Sequence, residues 1–189
     1  MRVRAMTLAL TGLALLAACA PTDPLADPHA GHHPATAKVI APAGPFTTLE
    51  EVVRWTRGAS GGQCADAKTG TTEEFSSYLG ADRAKLYEPF VASWATCSVP
   101  PFAKVGLVLF KPDGARKLQE FWKAGLAAGT LTENPDFSFG DGFALTSEEL
   151  GTDDLGLRHL WCKPVEGTSA VTEPAGVDGC VYAKTEGHH

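Results

Sequence analysis

Three histidines lie close together near the N-terminus, at a spacing that suits metal coordination. The segment DPHAGHH places His29, His32 and His33 in the pattern H-x-x-H-H, with Asp27 beside them. Neutral imidazoles are common ligands for Cu²⁺ and Zn²⁺, and a flexible chain can fold several of them around one ion. The pattern therefore makes these three histidines candidate copper or zinc ligands. The preferred interpretation is a hydrophilic segment whose histidines bind nothing.

One further histidine lies in the body of the chain. His159 stands among Leu157, Leu160 and Trp161, and this setting predicts a half-buried sheet residue bonded to backbone or to a carboxylate. No G-x-S-x-G, H-E-x-x-H or phosphate-binding G-x-x-x-x-G-K-[ST] motif accompanies it. We therefore expect no catalytic residues and no enzyme activity.

Acidic side chains are grouped in the segment SEELGTDD, which contains Glu148, Glu149, Asp153 and Asp154. Asp141 lies between two glycines a little earlier in the chain. Carboxylates attract Ca²⁺, but the D-x-[DN]-x-[DN]-G spacing of an EF-hand is not met. A solvated acidic loop is the preferred interpretation.

Residues 1–18 have the layout of an export signal. Arg2 and Arg4 precede the apolar segment AMTLALTGLALL, and the small pair Ala17-Ala18 precedes Cys19. The apolar segment is shorter than the roughly 20 residues that a permanent membrane-spanning helix needs. We therefore expect residues 1–18 to be a cleaved signal peptide.

The four residues Leu16-Ala17-Ala18-Cys19 resemble the lipobox of bacterial lipoproteins. The resemblance covers only this N-terminal segment. It implies that the Cys19 thiol receives a diacylglycerol and that the chain is cut just before this residue. Each buried acyl methylene contributes about 0.8 kcal/mol, so the attached chains would hold the protein at the extracytoplasmic side of a membrane. The alternative is an ordinary secretory signal in which Cys19 has no role.

Four cysteines remain after Cys19, namely Cys64, Cys97, Cys162 and Cys180. An even number in an exported chain predicts disulfides, and four cysteines allow three pairings. We favour Cys64–Cys97 and Cys162–Cys180, because each pair lies within one half of the chain. A four-cysteine metal site is disfavoured, since no pair has the short spacing of a zinc knuckle.

Composition separates a tether from a folded domain. Residues 19–45 are rich in proline, alanine and histidine and contain no aromatic residue, so we expect a disordered tether there. Residues 46–185 are expected to form a globular domain and residues 186–189 a tail. The chain has 16 basic and 22 acidic side chains, and this balance argues against nucleic acid as a partner.

Helices are predicted mainly in the first half of the domain. Thr47 and Glu50 have the spacing of a capping box, as do Thr71 and Glu74, and the two helices should end near Gly58 and at Gly80. Asp82 is a candidate cap for a further turn. Pro89 should open a helix with Phe90, Val91 and Trp94 on one side. The helical spacing of Leu118, Phe121, Trp122 and Leu126 predicts a longer amphipathic helix.

Strands are predicted mainly in the second half. KVGLVLF (104–110) is short, apolar and rich in branched residues, and FSFGDGFALT indicates two strand pieces around Gly140-Asp141-Gly142. Alternation from Leu155 onward favours a strand with His159 and Trp161 on one side, although a capped helix is an alternative. GCVYAK (179–184) should be the last strand.

These elements predict an α+β domain, with helices first and then a mostly antiparallel sheet covered by one amphipathic helix. The preferred function is a lipid-anchored cell-envelope lipoprotein whose domain binds an unknown protein or small molecule without catalysis. One alternative is a copper- or zinc-binding lipoprotein using His29, His32 and His33. A second alternative is a hydrolase that depends on carboxylates.

Overall fold

The computed structural model describes residues 45–185. The helices are α1 (Leu49–Ala59), α2 (Thr72–Leu79), α3 (Ala81–Tyr87) and α4 (Gly114–Ala128), with a 3₁₀ turn at Glu88–Phe90 and a π-helical turn at Leu150–Asp154. The strands are β1 (Lys68–Thr69), β2 (Val91–Val99), β3 (Phe102–Phe110), β4 (Ser138–Phe139), β5 (Phe143–Leu145), β6 (His159–Trp161), β7 (Ala170–Pro174) and β8 (Val181–Thr185).

The strands form two antiparallel sheets. The first has five strands in the order β1-β2-β3-β5-β4, and the second has three in the order β6-β8-β7. A single bridge between Phe139 and Arg158 connects the two sheets. The predicted α+β class is confirmed, with the antiparallel strands divided between two sheets.

Both faces of the larger sheet are buried, which explains the continuous apolar run of β3. Val105 and Leu107 belong to the hydrophobic cluster that includes α1, whereas Val108 and Phe110 belong to the cluster that includes α2, α3 and α4. Successive strand residues point to opposite faces, so a strand that is covered on both sides needs apolar residues at every position. Helices therefore cover the sheet on two sides.

Two N-terminal caps define the first helices. Thr71 accepts a hydrogen bond from the backbone N–H of Glu74, as predicted, and α2 ends at Leu79 before Gly80. The prediction for α1 was wrong by one residue, because Thr48 is the cap and Glu51 is its capping-box partner. Asp82 was wrongly predicted as a cap, since Gly80 precedes α3 and no side chain bonds that terminus.

The helix predicted to begin at Pro89 is also absent. After the 3₁₀ turn the chain enters β2, which pairs with β3 in a register that sets Trp94 opposite Val108. Buried Ala95, Cys97 and Val99 recur at every second residue, as expected for one face of a strand. Pairing with an apolar neighbouring strand outweighs the short helical pattern.

The predicted amphipathic helix α4 is confirmed, except that one of its four predicted apolar positions is exposed. Leu118 and Trp122 are buried, and Leu126 packs against the same cluster. Phe121 remains 39% exposed and contacts the ring of Phe90 instead. The helix therefore covers the sheet along a narrower face than its sequence suggests.

The strand predictions hold for β3, β4, β5 and β8. Residues 140–142 connect β4 to β5, which pair antiparallel. The strand predicted from Leu155 is shorter than expected, because the chain first makes the π-helical turn and only His159–Trp161 pair with β8. Strand β7 was not predicted. Among residues 45–185, no helix is long and apolar enough to cross a membrane.

Two disulfides are present, with the predicted pairing. Cys64 is bonded to Cys97, which attaches the loop after α1 to β2, and Cys162 is bonded to Cys180, just beyond the paired ends of β6 and β8. The first bond therefore holds a loop to a strand of the larger sheet, and the second joins the two chain segments that flank paired strands of the smaller sheet.

Candidate functional site

A cleft of about 760 Å³ lies beside strand β6. One wall is the loop 132–136, which connects α4 to β4, and the other is the segment 163–168 that follows β6. His159, Trp161 and Glu148 lie between the two walls. The volume is within the range of about 300–1,000 Å³ that is typical of ligand sites.

Strand alternation brings two aromatic rings into the cleft. His159 and Trp161 are two residues apart on β6, so both side chains lie on the same face, while Leu160 is fully buried on the other face. The ring centroids of His159 and Trp161 are 6.1 Å apart and the ring planes are inclined by 24°. The two rings are nearly parallel and stacked, and Trp161 is the more exposed of the two; we call this pair the aromatic platform.

Glu148 fixes the orientation of His159. Its Oε1 lies 2.8 Å from His159 Nδ1, and the histidine side chain is only 11% exposed whereas that of Glu148 is 53% exposed. The backbone next to Glu148 is held because the Ser138 hydroxyl donates to the Ser147 carbonyl at 2.6 Å. A carboxylate at Nδ1 sets the tautomer and the position of the imidazole ring.

Asn134 joins the two walls of the cleft. Its Oδ1 accepts hydrogen bonds from the backbone N–H groups of Cys162 and Lys163, at 2.8 and 2.9 Å. Its Nδ2 donates to the Lys163 carbonyl at 2.9 Å. The amide therefore makes three bonds across the cleft and ties the segment after β6 to the opposite wall.

The loop 132–136 is also attached to the helices behind it. The Tyr87 hydroxyl donates to Asp136 Oδ1 at 2.6 Å, and Arg83 Nη2 lies 2.8 Å from Asp136 Oδ2. Trp122 Nε1 donates to the Glu133 carbonyl at 3.2 Å. Burial raises the pKa of Tyr87 well above its usual range, and the nearby Asp136 carboxylate adds to this rise. Tyr87 is therefore a neutral hydrogen-bond donor, and three side chains of the helices hold the wall.

Charges of both signs line the cleft. Four carboxylates are present, from Glu133, Asp136, Glu148 and Glu166. Asp136 is paired with Arg83 and Glu148 with His159. The ammonium group of Lys163 lies in the same lining and donates to the Thr132 carbonyl at 3.4 Å. The cleft therefore offers hydrogen-bond donors and acceptors together, with part of its negative charge compensated.

The acidic segment is divided between two environments. Glu148 lines the cleft, whereas Asp153 and Asp154 lie exposed in the π-helical turn. Asp141 is exposed in the β4–β5 turn, where its carbonyl accepts from the Phe46 N–H. Within residues 45–185, no group of three His, Cys, Asp or Glu side chains is placed to hold a metal ion.

The remaining predicted site residues lie outside the described part of the chain. Cys19, His29, His32 and His33 all fall within residues 1–44. The lipidation and metal-binding predictions, and the predicted disorder of the tether, therefore remain predictions.

Sequence reasoning identified His159 and Glu148 separately but did not pair them. Trp161 was treated only as a strand residue, and Asn134 was not singled out. Alternation along β6 was the available signal for placing Trp161 beside His159. No local pattern predicts Glu148 or Asn134, because both reach the cleft from loops that are distant in sequence.

Comparisons of this chain with protein-family models, curated proteins and solved structures find no match. Function is therefore inferred from the geometry of the cleft and from the N-terminal sequence.

Proposed function

We propose that this protein is a lipid-anchored cell-envelope lipoprotein whose folded domain binds a ligand or partner without catalysing a reaction. The observation that supports binding best is the cleft beside β6. Its walls are held by Asn134, Asp136 and the Cys162–Cys180 disulfide before any ligand arrives. A pre-formed site loses less conformational entropy on binding than a flexible one.

The proposed location has separate support. The resemblance of Leu16-Ala17-Ala18-Cys19 to a lipobox favours lipidation of Cys19, and the proline-rich segment that follows would separate the domain from the membrane. Disulfides persist mainly in oxidising compartments outside the cytosol. The Cys64–Cys97 and Cys162–Cys180 bonds agree with such a location.

Photo-crosslinking in the producing bacterium tests the cleft as a binding site. A photoreactive amino acid at Thr168, which lines the cleft, should give an adduct whose attachment maps to that position. The matched control places the same amino acid at Lys117, an exposed residue of α4 that does not line the cleft. Adducts of equal yield at both positions, or none at either, would contradict the proposal.

The metal-binding alternative depends on the H-x-x-H-H pattern of His29, His32 and His33. Isothermal titration with Cu²⁺ and Zn²⁺ tests it on the natural protein and on a variant in which all three are changed to alanine. Weaker binding by the variant would support the metal function, whereas equal affinity would exclude these three residues as the ligands.

The hydrolase alternative is favoured by the four carboxylates in the cleft, because pairs of acidic side chains catalyse glycoside hydrolysis. Incubation with cell-wall glycan fragments, followed by an assay for new reducing ends, tests it. Sustained product formation that is lost in Glu148→Gln would replace the non-catalytic proposal.

A further inference from the structure

We propose that the cleft binds a saccharide chain, with one sugar ring stacked on the aromatic platform of Trp161 and His159. This inference rests on the proposed binding function, since it names the ligand class for the same cleft. It depends on three features of the lining: the partly exposed ring of Trp161, hydrogen-bonding groups of both kinds around it, and a volume larger than one sugar ring requires.

The aromatic platform supplies the apolar contact. One face of a hexose ring presents mainly C–H groups, which carry small positive charges, and the face of an aromatic ring is negative. Trp161 is partly exposed in the cleft. His159 is stacked nearly parallel to it and only 11% exposed, so it supports the indole from one side. The Trp161 ring therefore provides the face on which a sugar ring can lie.

The surrounding groups suit hydroxyls, because a hydroxyl both donates and accepts hydrogen bonds. The Glu148 carboxylate is already oriented by His159 and is 53% exposed, so it can accept from a ligand hydroxyl. Glu133 and Glu166 provide further acceptors, and Lys163 provides a donor. A polyol can use every one of these groups, whereas a simple anion or cation can use only one kind.

The charges of the cleft are partly paired. Asp136 is neutralised by Arg83 at 2.8 Å, and Glu148 is bonded to His159. Lys163 adds a positive charge to the same lining. Carboxylates still outnumber cations among the described residues of the cleft, so a cationic ligand is the competitor against which the saccharide is tested.

The size of the cleft indicates a chain of sugars. A volume of about 760 Å³ is near the upper part of the range for small-molecule sites. Residues 163–168, which form one wall, are exposed, so the cleft is open to solvent along that side and a longer chain can extend out of it. An envelope glycan, or an oligosaccharide released from one, has the required chemistry.

Isothermal titration of the natively processed full chain in detergent tests the inference. The probes are tetramers of N-acetylglucosamine and of mannose, with tetralysine as the cationic comparison. We expect one of the two glycans to bind and to shift the tryptophan emission. We expect Trp161→Ala to weaken that binding by about tenfold or more and Trp161→Phe, which keeps a ring face, to retain most of it. Glu166→Gln changes an exposed wall residue and should weaken binding without affecting the fold.

Three results would overturn the saccharide assignment. If neither glycan binds but crosslinking at Thr168 still yields an adduct, the proposed binding function is supported and the assignment of a saccharide ligand is wrong. Glycan binding of equal strength in Trp161→Ala would show that the aromatic platform is not used. Tighter binding of tetralysine than of either glycan would assign the cleft to a cationic ligand.

Discussion

The side-chain amide of Asn134 makes three hydrogen bonds, all of them to the segment that forms the opposite wall of the cleft. Two backbone N–H groups therefore depend on this one side chain for their partner. A backbone group that loses its partner on partial burial costs free energy even when the overall fold survives.

We expect Asn134→Ala to lower the free energy of unfolding by about 1–3 kcal/mol, because three bonds are lost and two donors are left without an acceptor. Urea denaturation measures this loss. The matched control is Glu133→Gln, whose side chain lines the same wall without an ion pair among residues 45–185 and should change stability by less than about 0.5 kcal/mol. Equal effects of the two substitutions would show that Asn134 does not hold the walls.

Tyr87 makes stability depend on pH in the alkaline range. Burial raises its pKa above the ordinary value of 10.0, so the folded protein retains the phenol proton after the unfolded chain has lost it. Unfolding then releases a proton. The contribution of Tyr87 to the free energy of unfolding is therefore fully present below pH 10 and is lost as the pH rises above that value. Burial likewise raises the pKa of Tyr182, which adds to the loss.

We therefore expect the unfolding midpoint to fall above pH 10, and to fall less steeply in Tyr87→Phe, which has no proton to lose at that position. Thermal denaturation at a series of alkaline pH values measures both slopes. Since the substitution also removes the bond to Asp136, the slope is compared rather than the absolute midpoint. Identical slopes would contradict a buried, neutral Tyr87.

At the scale of elements, the two disulfides affect different parts of the molecule: one attaches a loop to β2, and the other joins the segments next to β6 and β8. The Cys64–Cys97 bond spans 33 residues and lies in the core cluster with α1. The Cys162–Cys180 bond spans 18 residues and follows Trp161 directly. Only the second bond adjoins the cleft.

Replacing either pair by serine should lower stability by about 3–4 kcal/mol, since a bond that closes a loop restricts the unfolded chain. Only the Cys162→Ser/Cys180→Ser variant should also reduce crosslinking at Thr168, because it frees the segment after β6. Non-reducing peptide mapping gives the pairing, and urea denaturation the stability. Free thiols at these positions, or an equal loss of crosslinking in both variants, would contradict this assignment.

Helices, strands and turns were predicted correctly where the sequence carries one unambiguous pattern of apolar residues or glycines. The apolar run of β3, the stripe of α4 and the turn at Gly140–Gly142 all appear where the sequence placed them. The segment after Pro89 was mistaken for a helix, because Val91 and Trp94 also fit helical spacing and only pairing with β3 decides between the two. Strand β7 was missed, since nearly all its residues are exposed and no apolar alternation marks it.

The cleft was predictable only in part, for the same reason. Alternation on β6 places His159 and Trp161 together, which the sequence does indicate. Glu148 and Asn134 come from the loops after β5 and α4, and their positions depend on how the two sheets meet at the Phe139–Arg158 bridge. A tertiary contact of this kind leaves no periodic signal in one sequence.

At the scale of the whole molecule, the chain combines the described domain with an N-terminal segment whose role is predicted from its sequence. The domain at residues 45–185 contributes the cleft, and residues 1–44 contribute the predicted signal, lipidation site and tether. If Cys19 is lipidated, the cleft faces the envelope at a distance from the membrane set by the tether. Ligands made or held in the envelope would then be within reach.

Intact-mass analysis of the protein purified from a bacterium that exports it tests this most directly. We predict a chain that begins at Cys19, has lost residues 1–18, and carries the added mass of a diacylglycerol on that cysteine. In Cys19→Ala the lipid mass should be absent and the protein should leave the membrane fraction. A natural protein that still carries Met1 and the apolar segment, with no lipid mass, would contradict the proposed anchor and the envelope location.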